Sequence, residues 1–375
     1  MNNRLIPAAL CVAFSLLLFN CVTAEEPLNN PPSTPYRRGV NIAGAEFGEV
    51  PGVLNKNYTY NNEATFKYFG EKGFNVLRVP ISWERMQPAL SGVLDADNLR
   101  ELKKNIAWAK AHESSVIIDV HNYCRYGLKT GGKAVSFIID TVHDGQVPVK
   151  TADLADLWVR LSNEFKDDAG VYGYGLMNEP HDLGTADWKG ISNTVVKAIR
   201  DNGDKKLILV GGVHWSNASG WKKNNGPISW IDDPEKNFLY EAHCYFDSDN
   251  SGSYKKSYDK ELGANPNLAN IGSERVKGFV EWCRKNNVRG FLGEFAIPGN
   301  DARWNEVLEN FMQALDQAGF GATYWAAGIF WGEYTLSLQP TDKYTADRSQ
   351  MEVMLRHLAP VQAAHAQTSG GGAQK

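Results

Sequence analysis

The sequence predicts an α/β protein built as one (β/α)8 TIM barrel, and three observations support this fold class. Eight short apolar or β-branched segments recur along the chain at the spacing of a β-α unit. Stretches of helical period separate most of them, as in a parallel sheet with crossover helices. The first segment, RGVNIAGAEFG, lacks the GxGxxG turn typical of nucleotide-binding open sheets. A closed barrel is therefore expected rather than a doubly wound open sheet.

The predicted strands are apolar runs that end in polar residues. In order they are RGVNIA (38–43), NVLRVPI (75–81), VIIDVH (116–121), GYGLMN (173–178), LILVGG (207–212), LYEAHCY (239–245), GFLGEF (290–295) and ATYWA (322–326). β-Branched and aromatic residues dominate these runs, and such residues fit the pleated, buried surface of a strand. Eight runs of this kind are the number that a TIM barrel requires.

The predicted helices are stretches in which apolar residues recur every three or four positions. In order they cover residues 63–72, 97–112, 151–166, 186–201, 273–286, 303–318 and 349–358. The fifth β-α unit is the weakest, because no clear helix follows residues 207–212.

Composition and charge exclude several functional classes. The chain has 375 residues, 43% of them hydrophobic, which is enough for a large core without structural metals. Its 39 basic and 43 acidic residues give a net charge of −4. Nucleic acid is therefore not expected as a partner, since phosphate binding relies on a basic face.

The N-terminal residues 1–24 read as a cleaved signal peptide. Arg4 forms a short basic region, residues 8–19 are apolar, and small residues precede position 25. We expect secretion to the medium or the periplasm, with no membrane association after cleavage. The remaining predicted segments are a Pro-rich tether (25–35), a single catalytic domain (36–360) and a flexible C-terminal tail (361–375).

Three cysteines remain after the predicted cleavage: Cys124, Cys244 and Cys283. Cys244 alternates with the inward-facing His243 and Tyr245, so its side chain should face the helix layer. Cys283 lies in the next predicted helix, which makes a Cys244–Cys283 disulfide possible in an oxidising compartment. Three free buried thiols are the alternative. No CxxC or CxxH spacing indicates a cysteine-based metal site.

Polar residues mark the carboxyl ends of the predicted strands, where barrels carry their chemistry. They are Arg78, His121, Asn178, Glu179, His243, Tyr245, Glu294 and Trp325. A single charged residue at a strand end is more often a structural contact. Two carboxylates, Glu179 and Glu294, together with these Arg, His, Tyr and Trp residues are harder to explain as structural contacts alone.

Two opposed carboxylates fit the hydrolysis of a glycosidic bond. One acid protonates the leaving oxygen, and one carboxylate meets the positive charge that develops on the sugar. Arg78 and Tyr245 are candidate hydrogen-bond donors to the second carboxylate, and Asn178 is a candidate partner for the sugar 2-hydroxyl. Strands four and seven face each other across a barrel mouth, so Glu179 and Glu294 can meet.

The motifs are similar to those of glycoside hydrolase family 5, within the four-seven superfamily of (β/α)8 barrels. The resemblance rests on RRGVNIAGAEFG, NVLRVPISWERMQP, IDVHNY, YGLMNEPH, EAHCYFDSDNSG, FLGEFAIPGN and YWAAGIFWGEYTLSLQP. It implies that Glu179 is the acid/base and Glu294 the nucleophile. It also implies that six further residues surround the reactive sugar: Arg78, His121, Asn178, His243, Tyr245 and Trp325.

The same resemblance implies a secreted, retaining endo-β-1,4-glucanase that acts on cellulose and soluble β-glucans through a covalent glycosyl-enzyme. It implies a monomer with a β-glucan partner and no metal or organic cofactor. Xyloglucan, mannan, xylan or mixed-linkage glucan remain alternative substrates, because the barrel and the acid pair do not set the sugar. A non-catalytic carbohydrate-binding barrel is the alternative of another class.

Several aromatic and polar residues have two interpretations. Trp325 is expected to be a stacking platform for a sugar rather than barrel core. Trp215 and Trp221 are further candidate platforms, with loop packing as the alternative. His121 is expected to contact a sugar hydroxyl, with a scaffold hydrogen bond as the alternative. The loop from Asp247 lacks the spacing of a calcium-binding loop, so we expect it to cap itself.

Overall fold

The computed structural model describes residues 36–130 and 133–358. Eight parallel strands close into a barrel in which each strand pairs with the next and the last pairs with the first. The barrel strands are β1 (Arg38–Ile42), β2 (Val76–Ile81), β3 (Ser115–Val120), β6 (Val171–Gly175), β7 (Leu207–Gly211), β8 (Phe238–His243), β9 (Gly290–Glu294) and β10 (Gly321–Ala327). The predicted fold class and all eight predicted strands are confirmed.

The helices lie around this barrel. Those of the described residues are α1 (Glu63–Glu71), α2 (Trp83–Met86), α3 (Ala96–Ala111), α4 (Thr151–Phe165), α5 (Trp188–Asp201), α6 (Trp221–Asn225), α7 (Tyr258–Ala264), α8 (Ile271–Lys285), α9 (Trp304–Ala318) and α10 (Met351–Arg356). All seven predicted helices are present. The fifth unit has only the five-residue α6, after a short 3-10 turn, which explains its weak signal.

Local chemistry fixes several helix ends. The side chain of Asn62 accepts a hydrogen bond from the Thr65 amide at the start of α1, and Asp95 caps the Asn98 amide of α3 in the same way. These bonds satisfy amides that have no partner within the helix. At its other end α9 stops at Gly319, whose φ of 69° is the left-handed conformation that glycine adopts without strain.

An antiparallel hairpin stands beside the mouth of the barrel and was not predicted. It consists of β4 (Arg125–Thr130) and β5 (Lys133–Ile138), inserted between β3 and α4. Because it follows a barrel strand at its carboxyl end, it forms one wall of the region where the polar strand ends meet.

The expected Cys244–Cys283 disulfide is not formed, and both residues are buried free thiols. Helix α8 runs antiparallel to β8, and the part beside Cys244 is its first half, where Arg275 donates to the Tyr245 carbonyl. Cys283 lies about eight residues further along, which is about 12 Å at 1.5 Å per residue. There it neighbours Tyr240, near the start of β8. A disulfide requires α-carbons within about 7 Å.

The predicted signal peptide (1–24), tether (25–35) and tail (361–375) lie outside the described residues, as do residues 359–360 of the predicted catalytic domain. Within the described ranges, no helix combines the length and the apolar character needed to cross a membrane.

Candidate active site

The polar strand ends meet at one mouth of the barrel and form a connected cluster. In β8, Glu241 and His243 are two residues apart, so both side chains point into the barrel. Glu294 ends β9, and its carboxylate is almost fully buried. Asn178 and Glu179 follow β6 in an extension of the strand, where the Asn178 amide donates to the Val120 carbonyl.

Glu294 is surrounded by hydrogen-bond donors. Its Oε1 lies 3.2 Å from Nη1 of Arg78, and its Oε2 accepts a 2.8 Å hydrogen bond from the Tyr245 hydroxyl. Nδ1 of His243 lies 3.6 Å from Oε2. Burial raises the pKa of Tyr245 well above its ordinary value, and the Glu294 carboxylate raises it further, so the hydroxyl keeps its proton. The neighbours of Glu294 therefore offer its carboxylate hydrogen-bond donors and a positive charge.

Arg78 is fully buried and joins the two sides of the cluster. Nη1 donates to Asn41 Oδ1 at 2.9 Å, and Nη2 donates to Asn178 Oδ1 at 2.8 Å. Nη2 also lies 3.0 Å from Asp119 and 2.9 Å from Glu241. A buried guanidinium is tolerated only when it is paired in this way. Its many partners fix its position beneath the cleft.

Glu179 has a backbone φ of 43°, an uncommon and strained conformation for a residue with a side chain. Its Oε1 lies 2.7 Å from Nδ1 of His243. Its side chain is 15% exposed and borders a cleft of about 400 Å³ that Trp215, His214 and Asn217 also line. The carboxyl thus reaches solvent at the mouth of the barrel.

His243 connects the two glutamates. An oxygen of Glu179, an oxygen of Glu294 and a ring nitrogen of His243 all lie within 4.8 Å of one another. Burial lowers the pKa of His243, but Glu294 and the hydrogen bonds to Glu179 and Glu241 outweigh it and raise the pKa to about 10. The ring nitrogen that faces both glutamates is therefore a hydrogen-bond donor to Glu179.

His121 and Asn178 bond to each other and to the scaffold. Nδ1 of His121 lies 2.8 Å from Asp119 Oδ2, and the Asn178 side-chain nitrogen lies 3.1 Å from His121 Nε2. Because Asn178 Oδ1 accepts from Arg78, its nitrogen is the donor to His121. Both ring nitrogens of His121 therefore have protein partners, which favours the scaffold interpretation over contact with a sugar hydroxyl.

Two tryptophans expected to be sugar platforms each stack on a histidine ring. Trp325 is half-buried and stacks on the His121 ring at 5.3 Å and 19°. Trp215, which lines the cleft, is 44% exposed and stacks on His181 at 4.5 Å and 12°. Trp221 does not fit the platform role expected of it. It is buried against Phe279, in an aromatic cluster under the loop.

Two buried acids at the site, Asp119 and Glu241, were not among the predicted residues. Each lies in a strand and precedes by two positions a predicted histidine at or just after the end of that strand, so each faces the barrel interior with that histidine. The alternation of a strand was the signal that could have found them.

The loop after Tyr245 caps itself, as expected. The buried carboxylate of Asp247 accepts from the amides of Gly252 and Tyr254 at 3.1 and 3.0 Å. Asn250 Oδ1 accepts from the Tyr245 amide at 2.9 Å. Gly252 has a φ of 72° and packs on the Tyr245 ring so closely that a Cβ there would lie 2.7 Å from a ring carbon. The loop thus fixes the tyrosine that bonds Glu294.

Comparisons with known proteins give a consistent result. Residues 37–330 match the cellulase family, glycosyl hydrolase family 5. Endo-beta-1,4-glucanase A of Emericella nidulans is 30% identical over 309 residues, 81% of this chain and 86% of that protein. Pseudomonas stutzeri endoglucanase Cel5A, solved with cellobiose, is 36% identical with a TM-score of 0.76, over 86% of this chain and 92% of that one. XacCel5A, solved with cellopentaose, is 36% identical with a TM-score of 0.74, over 86% and 98%.

Proposed function

The chain belongs to glycosyl hydrolase family 5, and from that premise we propose that it is a secreted, retaining endo-β-1,4-glucanase. It cleaves internal β-1,4 bonds of cellulose and soluble β-glucans through a covalent glycosyl-enzyme. The observation that carries the proposal is the approach of oxygens of Glu179 and Glu294 to within 4.8 Å. Retaining glycosidases hold their carboxyl groups about 5–5.5 Å apart, whereas inverting enzymes leave about 6.5–9.5 Å for a water.

Glu294 is the nucleophile of this proposal. Arg78 and the Tyr245 hydroxyl contact its two oxygens and orient the carboxylate that attacks the anomeric carbon. The bond from Glu294 to the sugar forms while the glycosidic bond breaks. The positive charge that develops on the ring is stabilised by the same buried carboxylate.

Glu179 is the acid and then the base. Oε1 is engaged by His243, and among the described residues no donor reaches Oε2. Oε2 therefore delivers the proton to the departing oxygen in the first step. In the second step it accepts a proton from the water that releases the sugar from Glu294.

The aromatic residues provide the sugar-binding surfaces in this proposal. Trp325 is the platform for the sugar at the reacting centre, because its indole stacks on His121, whose Nε2 bonds Asn178 next to Glu179. Trp215 serves the leaving part of the chain, since it lines the cleft beyond Glu179. The two relatives solved with cellobiose and cellopentaose support a β-1,4-glucan as the occupant of this cleft.

The deciding experiment is product analysis on carboxymethylcellulose, mixed-linkage glucan, xyloglucan, mannan and xylan. A rapid loss of viscosity with short oligosaccharides from the β-glucans is expected, and proton NMR of the first products should show the β anomer. Glu294→Ala should abolish turnover. Activity confined to mannan, xylan or xyloglucan would contradict the proposed β-glucan substrate. First products with the α anomeric configuration would contradict the retaining mechanism. A folded protein that is silent on all five substrates would favour the non-catalytic barrel.

Secretion and the absence of a cofactor have their own tests. N-terminal sequencing of the exported protein is expected to start near Glu25, after the predicted signal peptide. Activity is expected to survive EDTA, because the proposed chemistry uses only carboxyl groups and their donors. An intact N-terminus in the exported protein would contradict the first expectation, and a loss of activity that zinc or calcium restores would contradict the second.

A further inference from the structure

Glu241 is a buried carboxylate directly behind His243. It is 4% exposed, and its Oε1 lies 2.9 Å from Nη2 of Arg78 and 3.1 Å from Nε2 of His243. A Cβ on Gly293 would lie 2.1 Å from the same oxygen, so the strand beside it carries glycine where this carboxylate needs room. The barrel interior thus accommodates an acid that touches neither the cleft nor the other glutamates.

The two nitrogens of His243 both face carboxylates. Nε2 faces Glu241, whereas Nδ1 lies 2.7 Å from Glu179 and 3.6 Å from Glu294. Ionised carboxylates can only accept hydrogen bonds, so this geometry suits a ring with a hydrogen on both nitrogens. The other charged groups near Glu241 are Arg78 on β2, Asp119 on β3 and His121 directly after β3.

We propose that Glu241 is a positioning residue that keeps His243 doubly protonated throughout the reaction. Oε1 of Glu179 then always accepts from Nδ1, and only Oε2 carries the proton that passes to the leaving oxygen and returns from water. This inference rests on the acid/base role proposed above for Glu179.

The carboxylate at position 241 accepts the second hydrogen of the His243 ring, the one on Nε2. Without it, one of the three carboxylates that favour the imidazolium is lost, while Arg78 and burial still favour a neutral ring. A neutral ring keeps its hydrogen on Nδ1, which faces Glu179 and Glu294, so Oε1 of Glu179 then accepts from an uncharged donor. The positive charge that stabilises the Glu179 carboxylate as it gives up its proton to the leaving oxygen is then missing.

The test compares Glu241→Gln with Asp119→Asn. Asp119 contacts the same Nη2 of Arg78 at 3.0 Å and is equally buried, but it bonds His121 instead of His243. Each variant is assayed for kcat/KM on phenyl cellobioside, whose leaving oxygen needs protonation, and on 2,4-dinitrophenyl cellobioside, which needs little. Glu241→Gln is expected to lose about 100-fold on the first substrate and less than about tenfold on the second.

Asp119→Asn is expected to lose similar factors on both substrates. Equal losses on both substrates for Glu241→Gln would overturn the inference. A wild-type protein that cleaves neither substrate nor any β-glucan would instead overturn the proposed function.

A second measurement covers the case in which the buried glutamine prevents folding. Nitrogen-15 NMR of the histidine rings in the wild-type protein is expected to show the His243 ring doubly protonated at pH 8. His243→Asn assigns the signal by its disappearance. A neutral His243 ring at that pH would overturn the inference without any variant at position 241.

Discussion

Replacing Gly252 with alanine is expected to weaken catalysis from a loop that supplies no reacting group. The new Cβ would lie 2.7, 2.8 and 2.9 Å from three ring carbons of Tyr245. The φ of 72° is also a conformation that an L side chain rarely adopts. The ring must therefore shift, and the Tyr245 hydroxyl that bonds Glu294 moves with it.

The size of the effect follows from these distances. Carbon atoms in contact sit about 3.5 Å apart, so the ring must give way by about 0.8 Å. A similar movement of the hydroxyl would stretch its 2.8 Å bond to Glu294 to the edge of hydrogen-bonding distance. A hydrogen bond to a charged group is worth about 1.5–3 kcal/mol, which corresponds to a loss of about 10- to 100-fold in kcat/KM. The left-handed backbone adds a cost of about 1–2 kcal/mol in stability.

A double-mutant cycle with Tyr245→Phe tests this reasoning, with kcat/KM and the melting temperature as readouts. If Gly252 acts through the Tyr245 hydroxyl, Gly252→Ala alone costs activity, but Gly252→Ala added to Tyr245→Phe costs little more. Gly278→Ala in α8 is the matched control, since nothing lies within 4 Å of its added Cβ. Full activity of Gly252→Ala, or losses that multiply in the double variant, would refute the coupling.

Three further predictions concern stability and redox state. Burial raises the pKa of Glu46 to about 7, so the folded protein loses stability as pH rises from about 4.5 to 7. In urea unfolding, Glu46→Gln should therefore be more stable than the wild type by about 1–3 kcal/mol at pH 8, but not at pH 4. Despite burial, bonds from His357 and Arg38 lower the pKa of Asp316, so Asp316→Asn should cost about 3–5 kcal/mol at pH 7 and progressively less below about pH 4. Peptide mapping without reductant should find Cys244 as an unmodified thiol, and a disulfide-linked peptide there would contradict the structure.

The sequence was sufficient to predict the barrel and the residues of its mouth, for a simple reason. Each barrel strand is a buried apolar run, and a parallel barrel brings the carboxyl ends of its strands together. Residues as distant as Arg78, Glu179 and Glu294 could therefore be assigned to one site from the sequence. Local signals failed for the fifth unit, where α6 is five residues long, and for the β4–β5 hairpin.

The features that were missed depend on packing between elements. The predicted disulfide was wrong because the direction of α8 places its first half, and not Cys283, beside Cys244. Trp221 looked like its exposed neighbour Trp215 in sequence, but the buried aromatic cluster decides its role. Glu241 has an alternation signal, yet its function depends on the contacts to Arg78 and His243, which only the folded structure gives.

The pairing of β1 with β10 has a consequence for engineering fusions of this protein. It brings the start and the end of the described chain side by side, where the Tyr36 hydroxyl lies 2.7 Å from the His357 carbonyl oxygen. This seam lies at the amino ends of the strands, on the face opposite the cleft. A fusion partner, an affinity tag or a surface tether joined directly at Tyr36 or just after His357 would leave the cleft open to a long polymer. These two residues are also close enough for a short peptide to join them, so the barrel is a candidate for circular permutation with new ends on another loop.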